Sequence, residues 1–305
     1  MGTIDCAWNN LFDNNERQSL EDGLFLAGFI SVIFGLWLSA SILLTNLSHD
    51  RSYRNLANFT TAACLRRVVS SDLDPISCKL FAFLETFLAV FEVEWLTHVC
   101  IERYVVAKYT KNGWPIQKYH YTLFQCLCLL FATLYSVPPL IGFGQYAFDF
   151  SCSFCTFHMI LPESWKRYIV VMIFVLRSIK PAMFMVLMLT WSRIVERKLI
   201  CSEETQKQVK FTKNVIVLTV VSQICWTPIA LIRGSVVFSQ LLDSHPFVPA
   251  SAFYIKCSMW IHWMASGFTA LVLFVADCQI RDKMLHLLST KDAVKLNDEE
   301  KKKEM

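Results

Sequence analysis

Charge is scarce in this chain. Asp, Glu, Lys and Arg make up 18% of the 305 residues, and 29 Lys+Arg against 25 Asp+Glu leave a net charge of only +4. That excess is too small for a nucleic-acid partner, which needs a strongly basic face to meet phosphates. Glycine and proline number 9 each, which excludes collagen-like and low-complexity chains. No P-loop, nucleophile elbow or HExxH is present, so hydrolytic or metal-dependent catalysis is not expected. The 12 cysteines form no paired CxxC sets for zinc and are too sparse for a small disulfide scaffold; Cys152 and Cys155 are the only close pair outside an apolar stretch. The first 22 residues carry Asp5, Asp13, Glu16, Glu21 and Asp22 and lack a basic segment leading into an apolar one, so no cleavable signal is expected and the mature chain should start at Met1. What the chain has in excess is apolar surface: 54% hydrophobic residues, 24 of them Phe, and a mean hydropathy of +0.41. A protein of the lipid bilayer is implied.

About 20 apolar residues cross a bilayer as helix. Leu24–Leu47 and Tyr121–Phe143 contain no charge at all, so both must span. Tyr168–Trp191 carries Arg177 and Lys180, Asn214–Phe238 carries Arg233, and Ala250–Ala276 carries Lys256 and His262 as polar inserts. Cys78–Val105 is mostly apolar but holds Lys79, Glu85, Glu92, Glu94, His98, Glu102 and Arg103, a load that only a central helix shielded by neighbours can carry. The segment from Arg51 to Pro75 is too short and polar to be read as a span from hydropathy. Lysine and arginine cluster at Lys108–Lys118, Arg193–Lys213 and beyond Arg281, whereas Ser239–Pro249 and Gly144–Glu163 have none. Basic loops stay inside, so the N-terminus belongs outside and the C-terminus inside, which needs an odd number of spans and makes Asn55–Ser70 a short second helix. The expected fold is all-α: an extracellular segment 1–22, a seven-transmembrane helix bundle over 23–276, and a cytoplasmic part over 277–305. That last part should hold an amphipathic helix carrying Ile280, Met284, Leu287 and Leu288, then a charged tail from Lys291.

Three motifs stand in register with these spans. Ile101-Glu102-Arg103-Tyr104-Val105-Val106 ends the third, Cys225-Trp226-Thr227-Pro228 lies in the sixth, and Cys155 follows the fourth. Together they resemble the rhodopsin-like (class A) G-protein-coupled receptors, and the resemblance covers nearly the whole chain. It implies a Cys78–Cys155 bridge, a helix-six hinge at Pro228, and a G-protein-coupling end built from Glu102, Arg103 and Tyr104. Pro138–Tyr146, followed by Asp149 and Cys155-Thr156, is similar to the second extracellular loop of opsins, as is IERYVVAKY to their third helix.

An opsin-like reading implies retinal held as a Schiff base on a seventh-helix lysine, and Lys256 is the only lysine in that span. Two counts disagree, and the first is favoured. From Pro228 and Pro249, Lys256 falls close to the retinal position; from the amphipathic helix, Trp263 falls there and Lys256 sits two turns nearer the outside. Glu85 and Asp149 are candidate counterions, whereas Phe81 occupies the vertebrate visual-pigment counterion position. Trp226 would line the pocket, and Glu92 and Glu94 read as partners for Arg177, Lys180 or buried polar groups. The pattern also departs from the family: TALVL (Thr269–Leu273) replaces NPxxY, Leu129 replaces the fourth-helix Trp, no Tyr follows Pro181, and the second helix lacks its LxxxD acid. The implied function is an opsin-type receptor in the plasma membrane, signalling to a heterotrimeric G protein. The alternatives are a class A receptor for a small diffusible ligand, cationic ligands included, and a retinoid-binding isomerase with little signalling.

Overall fold

In the computed structural model the described residues are 13–45, 50–68, 75–110, 118–149, 155–158, 164–198, 203–242 and 251–288. The tail expected beyond Lys291 lies outside them. Helix α1 spans Asn14–Leu43. It starts well before the first apolar run because Asp13 and Glu16 form a reciprocal capping box: the Glu16 amide donates to Asp13 Oδ1 at 2.6 Å and the Asp13 amide to Glu16 Oε2 at 3.4 Å. Helix α2, Arg51–Val68, is the segment that hydropathy alone rejects. It forms because it is shielded on both sides, by α1 and by α3. Phe59 and Leu56 are buried, and Thr60 hydrogen-bonds Ser39 of α1 at 2.7 Å. Gly35 of α1 permits this closeness: a Cβ there would lie 2.2 Å from Cys64 Sγ.

Helix α3, Pro75–Thr110, touches α2, α4, α5, α6 and the hairpin, so its charged residues sit in the middle of the bundle, as their number demands. Helix α4 covers Lys118–Ser136 and is followed by a 3-10 turn, Pro138–Ile141. The short strands β1 (Tyr146–Phe148) and β2 (Cys155–Phe157) pair antiparallel, with Tyr146 opposite Phe157. This hairpin is a local addition to the all-α bundle, and the Cys78–Cys155 disulfide pins it to the start of α3 with a Cα separation of 5.4 Å. Helix α5 runs over Ser164–Phe174, widens through a π turn at Val175–Ile179, and continues over Lys180–Glu196. Helix α6 is Glu203–Leu242 with Pro228 inside it.

The seventh span is not the single helix expected over Ala250–Ala276. It consists of two halves of α7, Ala252–Trp263 and Ala265–Ala276, bent by 52° at Met264. Ser31 of α1 donates its hydroxyl to the Trp263 carbonyl at 3.2 Å, satisfying an acceptor at the break. Helix α8, Cys278–Leu288, does more than lie beside the bundle, because Ile280 and Met284 are fully buried in the main core. Among the described helices α1, α4, α5 and α6 are long and apolar enough to cross a membrane unaided, and α7 qualifies if its halves count as one span. Helices α2 and α3 complete the seven through packing.

Candidate functional site

Two sites lie at opposite ends of α6. The first is a cavity of about 600 Å³ bounded by α3, α5, α6, α7 and the hairpin strand β2, a volume within the roughly 300–1,000 Å³ typical of small-molecule sites. Ala89 and Val93 supply the α3 wall and Phe157 the hairpin roof. Trp226 lines it two residues before Pro228, with its ring 6.1 Å from His262 of α7, which also lines it. Proline removes the hydrogen bond that the Ile224 carbonyl would otherwise accept, so α6 is weakest just below this ring. Gly234 lets Phe174 come close, since a Cβ there would meet that ring at 3.0 Å.

The charged groups on the cavity wall are Arg177 and Arg233. In a regular α-helix Arg177 and Lys180, three residues apart, would share a face. The π turn separates them. Arg177 reaches the cavity, whereas Lys180 turns to Glu94 on α3 at 2.5 Å, beneath the Phe131 ring at 4.3 Å. The expected role of Glu94 as partner to a cation is thus seen; Glu92 is buried on the same helix.

The second site surrounds Arg103, which is 1% exposed. Its guanidinium pairs with Glu102, donates to Gln208 Oε1 of α6 at 3.0 Å and to Ser52 Oγ of α2 at 2.7 Å, and lies over the Phe211 ring at 4.6 Å. Glu102 also accepts from Ser52 Oγ at 2.7 Å and Asn55 Nδ2 at 2.8 Å. Tyr104 points elsewhere, packing its ring 5.9 Å from Trp191 of α5. Beside Arg103 opens a cleft of about 530 Å³ lined by Tyr53, Lys207, Gln208, Asn214 and Asp277. The Asp277 carboxylate caps α8 through the Gln279 and Ile280 amides, at 2.9 and 3.2 Å, and accepts from Tyr53 at 3.0 Å and Asn214 at 2.9 Å. Motif reading missed Gln208, Ser52 and this aspartate. Only Asp277 left a signal, an acid standing immediately before the amphipathic helix.

A family model described as "7 transmembrane receptor (rhodopsin family)" matches residues 59–266. The chain belongs to this family. The receptor is 23% identical over 259 residues to a rhodopsin of Leucoraja erinaceus, covering 80% of this chain and 69% of the relative. It is 22% identical over 230 residues to a pineal opsin of Petromyzon marinus, covering 72% and 50%. Among solved structures it resembles squid rhodopsin with a TM-score of 0.77 at 13% identity, covering 92% of this chain and 89% of that one, which speaks to the fold alone.

The receptor's residues do not fit retinal bound as a Schiff base. Lys256 sits one turn into the first half of α7 and outside the cavity, and its ammonium donates to Glu16 Oε1 of α1 at 3.0 Å. This placement departs from the favoured count from Pro228 and agrees with the count from the amphipathic helix; Trp263 packs on Gly28 of α1. Among the described residues no lysine, aspartate or glutamate lines the cavity. Glu85 and Asp149 are likewise outside its lining. Glu85 lies with Arg177 near the hairpin, where both charges act on the Tyr146 phenol; burial is the main cause that holds this phenol above its ordinary range, and the phenol donates to the Ser136 carbonyl at 2.6 Å. The structure thus brings together Glu102 with Arg103, Trp226 with the hinge, and Cys78 with Cys155. It does not bring Lys256 to Glu85 or to Asp149.

Proposed function

We propose that this receptor is switched by a diffusible ligand taken into the α3–α5–α6–α7 cavity and passes the change to a heterotrimeric G protein at the Arg103 end. One observation carries the reading: α6 presents Trp226 to the cavity, Pro228 just beyond it, and Gln208 to Arg103 at its far end. A ligand that repacks Trp226 bends α6 at its weakest turn, and the outward swing pulls Gln208 from Arg103 and widens the cleft beside Asp277. The named relatives are opsins, which supports a retinal-bound photoreceptor as the second reading; the position of Lys256 favours the first. In this topology the Arg103 end faces the cytoplasm of a plasma-membrane receptor, a placement supported by Arg193, Arg197, Lys207, Lys210 and Lys213 at that end.

The test needs no ligand. A hydrogen bond to a charged group contributes about 1.5–3 kcal/mol, so Gln208→Ala should raise basal nucleotide exchange on purified G proteins roughly tenfold or more if the bond belongs to the resting state. Adding Arg103→Ala should abolish that exchange. No exchange above background by the unmodified receptor and by Gln208→Ala with any G-protein class refutes the signalling role.

A further inference from the structure

Tyr104 belongs by motif to the coupling end, yet its ring leaves the Arg103 cleft and meets Trp191 on the α3–α5 seam. Trp191 is 46% exposed, so the pair stands on the bundle surface, which faces lipid. One turn further in, Lys108 holds its ammonium over the Tyr104 ring at 5.6 Å and the Tyr109 ring at 5.8 Å. We infer that this seam binds the headgroup of an anionic phospholipid of the cytoplasmic leaflet. Lys108, Arg197 and Lys198 meet its phosphate, and the Tyr104–Trp191 pair lies against the first carbons of its acyl chains. From the receptor reading the site takes only the placement of this end at the cytoplasmic leaflet; its chemistry rests on the seam itself.

The Ser192 hydroxyl donates to the Arg103 carbonyl at 3.3 Å, which sets α5 level with α3 at this depth. Both helices run inward, so equal steps stay level. Lys108 lies about 6 Å and Arg197 about 9 Å further in than the ring pair, and Lys198 follows in the turn that closes α5. All three cations are exposed, and none has a carboxylate partner among the described residues. The carboxylates of these inner turns are engaged elsewhere: Glu196 accepts from Arg193 of its own helix at 2.7 Å, and Glu102 pairs with Arg103. An ammonium over aromatic faces commits none of its three donors to an oxygen, and a guanidinium fork matches phosphate oxygens. Indole and phenol rings favour headgroup depth, where one end is wet and the body apolar. Ile194, 47% exposed, adds to the apolar surface on α5. Each Lys or Arg beside an anionic leaflet adds roughly fivefold in affinity. Phosphatidylcholine carries the same phosphate with a quaternary ammonium that cancels it, so the three cations select an anionic head.

The experiment places the purified full chain in phosphatidylcholine nanodiscs and titrates in phosphatidylglycerol or phosphatidylcholine brominated near the headgroup, which quenches nearby indoles. The emission of Trp191 is isolated as the difference from Trp191→Phe. Half-quenching by the brominated phosphatidylglycerol should need a mole fraction at least threefold lower than by the brominated phosphatidylcholine. The preference should fall below threefold in Lys108→Gln/Arg197→Gln/Lys198→Gln and persist in the charge-matched Lys210→Gln/Lys213→Gln/Lys283→Gln variant. A preference below threefold in the unmodified receptor overturns the inference, and that comparison stands even if a variant fails to fold. So does a preference that survives the seam variant, or one lost in the charge-matched variant, which would make it a property of the whole basic end. The nanodisc offers both leaflets and no G protein, so this result and the exchange assay above succeed or fail separately.

Discussion

The Lys180–Glu94 pair joins α5 to α3 at the point where the π turn ends, and its removal is the sharpest test of how the bundle is held. Glu94 is 3% exposed and Lys180 24%, with the ammonium also over the Phe131 ring. Removing one member of a buried pair strands the other charge and costs about 3–5 kcal/mol, while replacing both with neutral groups of similar shape is close to neutral. Lys180→Met leaves the more buried carboxylate without its cation and should cost the larger share. For a protein of this size about 1 kcal/mol corresponds to roughly 2–4 °C, so Lys180→Met should melt roughly 6–20 °C lower. The Lys180→Met/Glu94→Gln receptor should recover more than half of that loss. Thermal unfolding can be followed with a thiol-reactive dye, because Cys100 and Cys128 are buried free cysteines that become reactive on unfolding. If the double variant melts at the sum of the two single losses, the pair has no coupling and the account of the π turn as the device that parts Arg177 from Lys180 loses its energetic support.

Three further outcomes follow from the packing. Asp277→Ala removes the α8 cap and strands Tyr53 and Asn214, and should lower stability by about 2–4 kcal/mol; intact hydrogen-exchange protection of the Ile280 amide would contradict this. Gly35→Ala drives a methyl group into Cys64 Sγ, so its melting temperature should fall by several degrees and recover in Gly35→Ala/Cys64→Ala; no recovery would place the strain elsewhere. Cys155→Ser frees the hairpin from α3 across a sequence separation of 77 residues, a closure worth about 4 kcal/mol in chain entropy, and should lower the melting temperature in a way that a reducing agent reproduces in the unmodified protein.

Much of the architecture was legible before any coordinates. Uncharged runs gave α1 and α4 because a helix without a polar face has nowhere to go but lipid, and the charge load of α3 gave its central position. The second helix was legible only through the distribution of Lys and Arg, since its own residues are too polar and it is stabilised by neighbours. Two features stayed hidden because they depend on relations between helices. The break at Met264 has no proline to announce it and is completed by Ser31 on another helix. Lys256 could be read from either end of its span, and only the 52° bend and the Glu16 contact decide that it belongs to the outer rim. The Arg103 motif was plain, but Gln208 and Ser52 carry no spacing signal, being brought to it by tertiary packing alone.

The central claim, that the cavity serves a diffusible ligand held without a covalent bond, is tested most directly by the absorption spectrum of the purified receptor after incubation with 11-cis and all-trans retinal, alongside Lys256→Ala. The expected result is free-retinal absorbance with no visible band that depends on Lys256. A red-shifted band present in the unmodified receptor and lost in Lys256→Ala would contradict the account and restore the pigment reading.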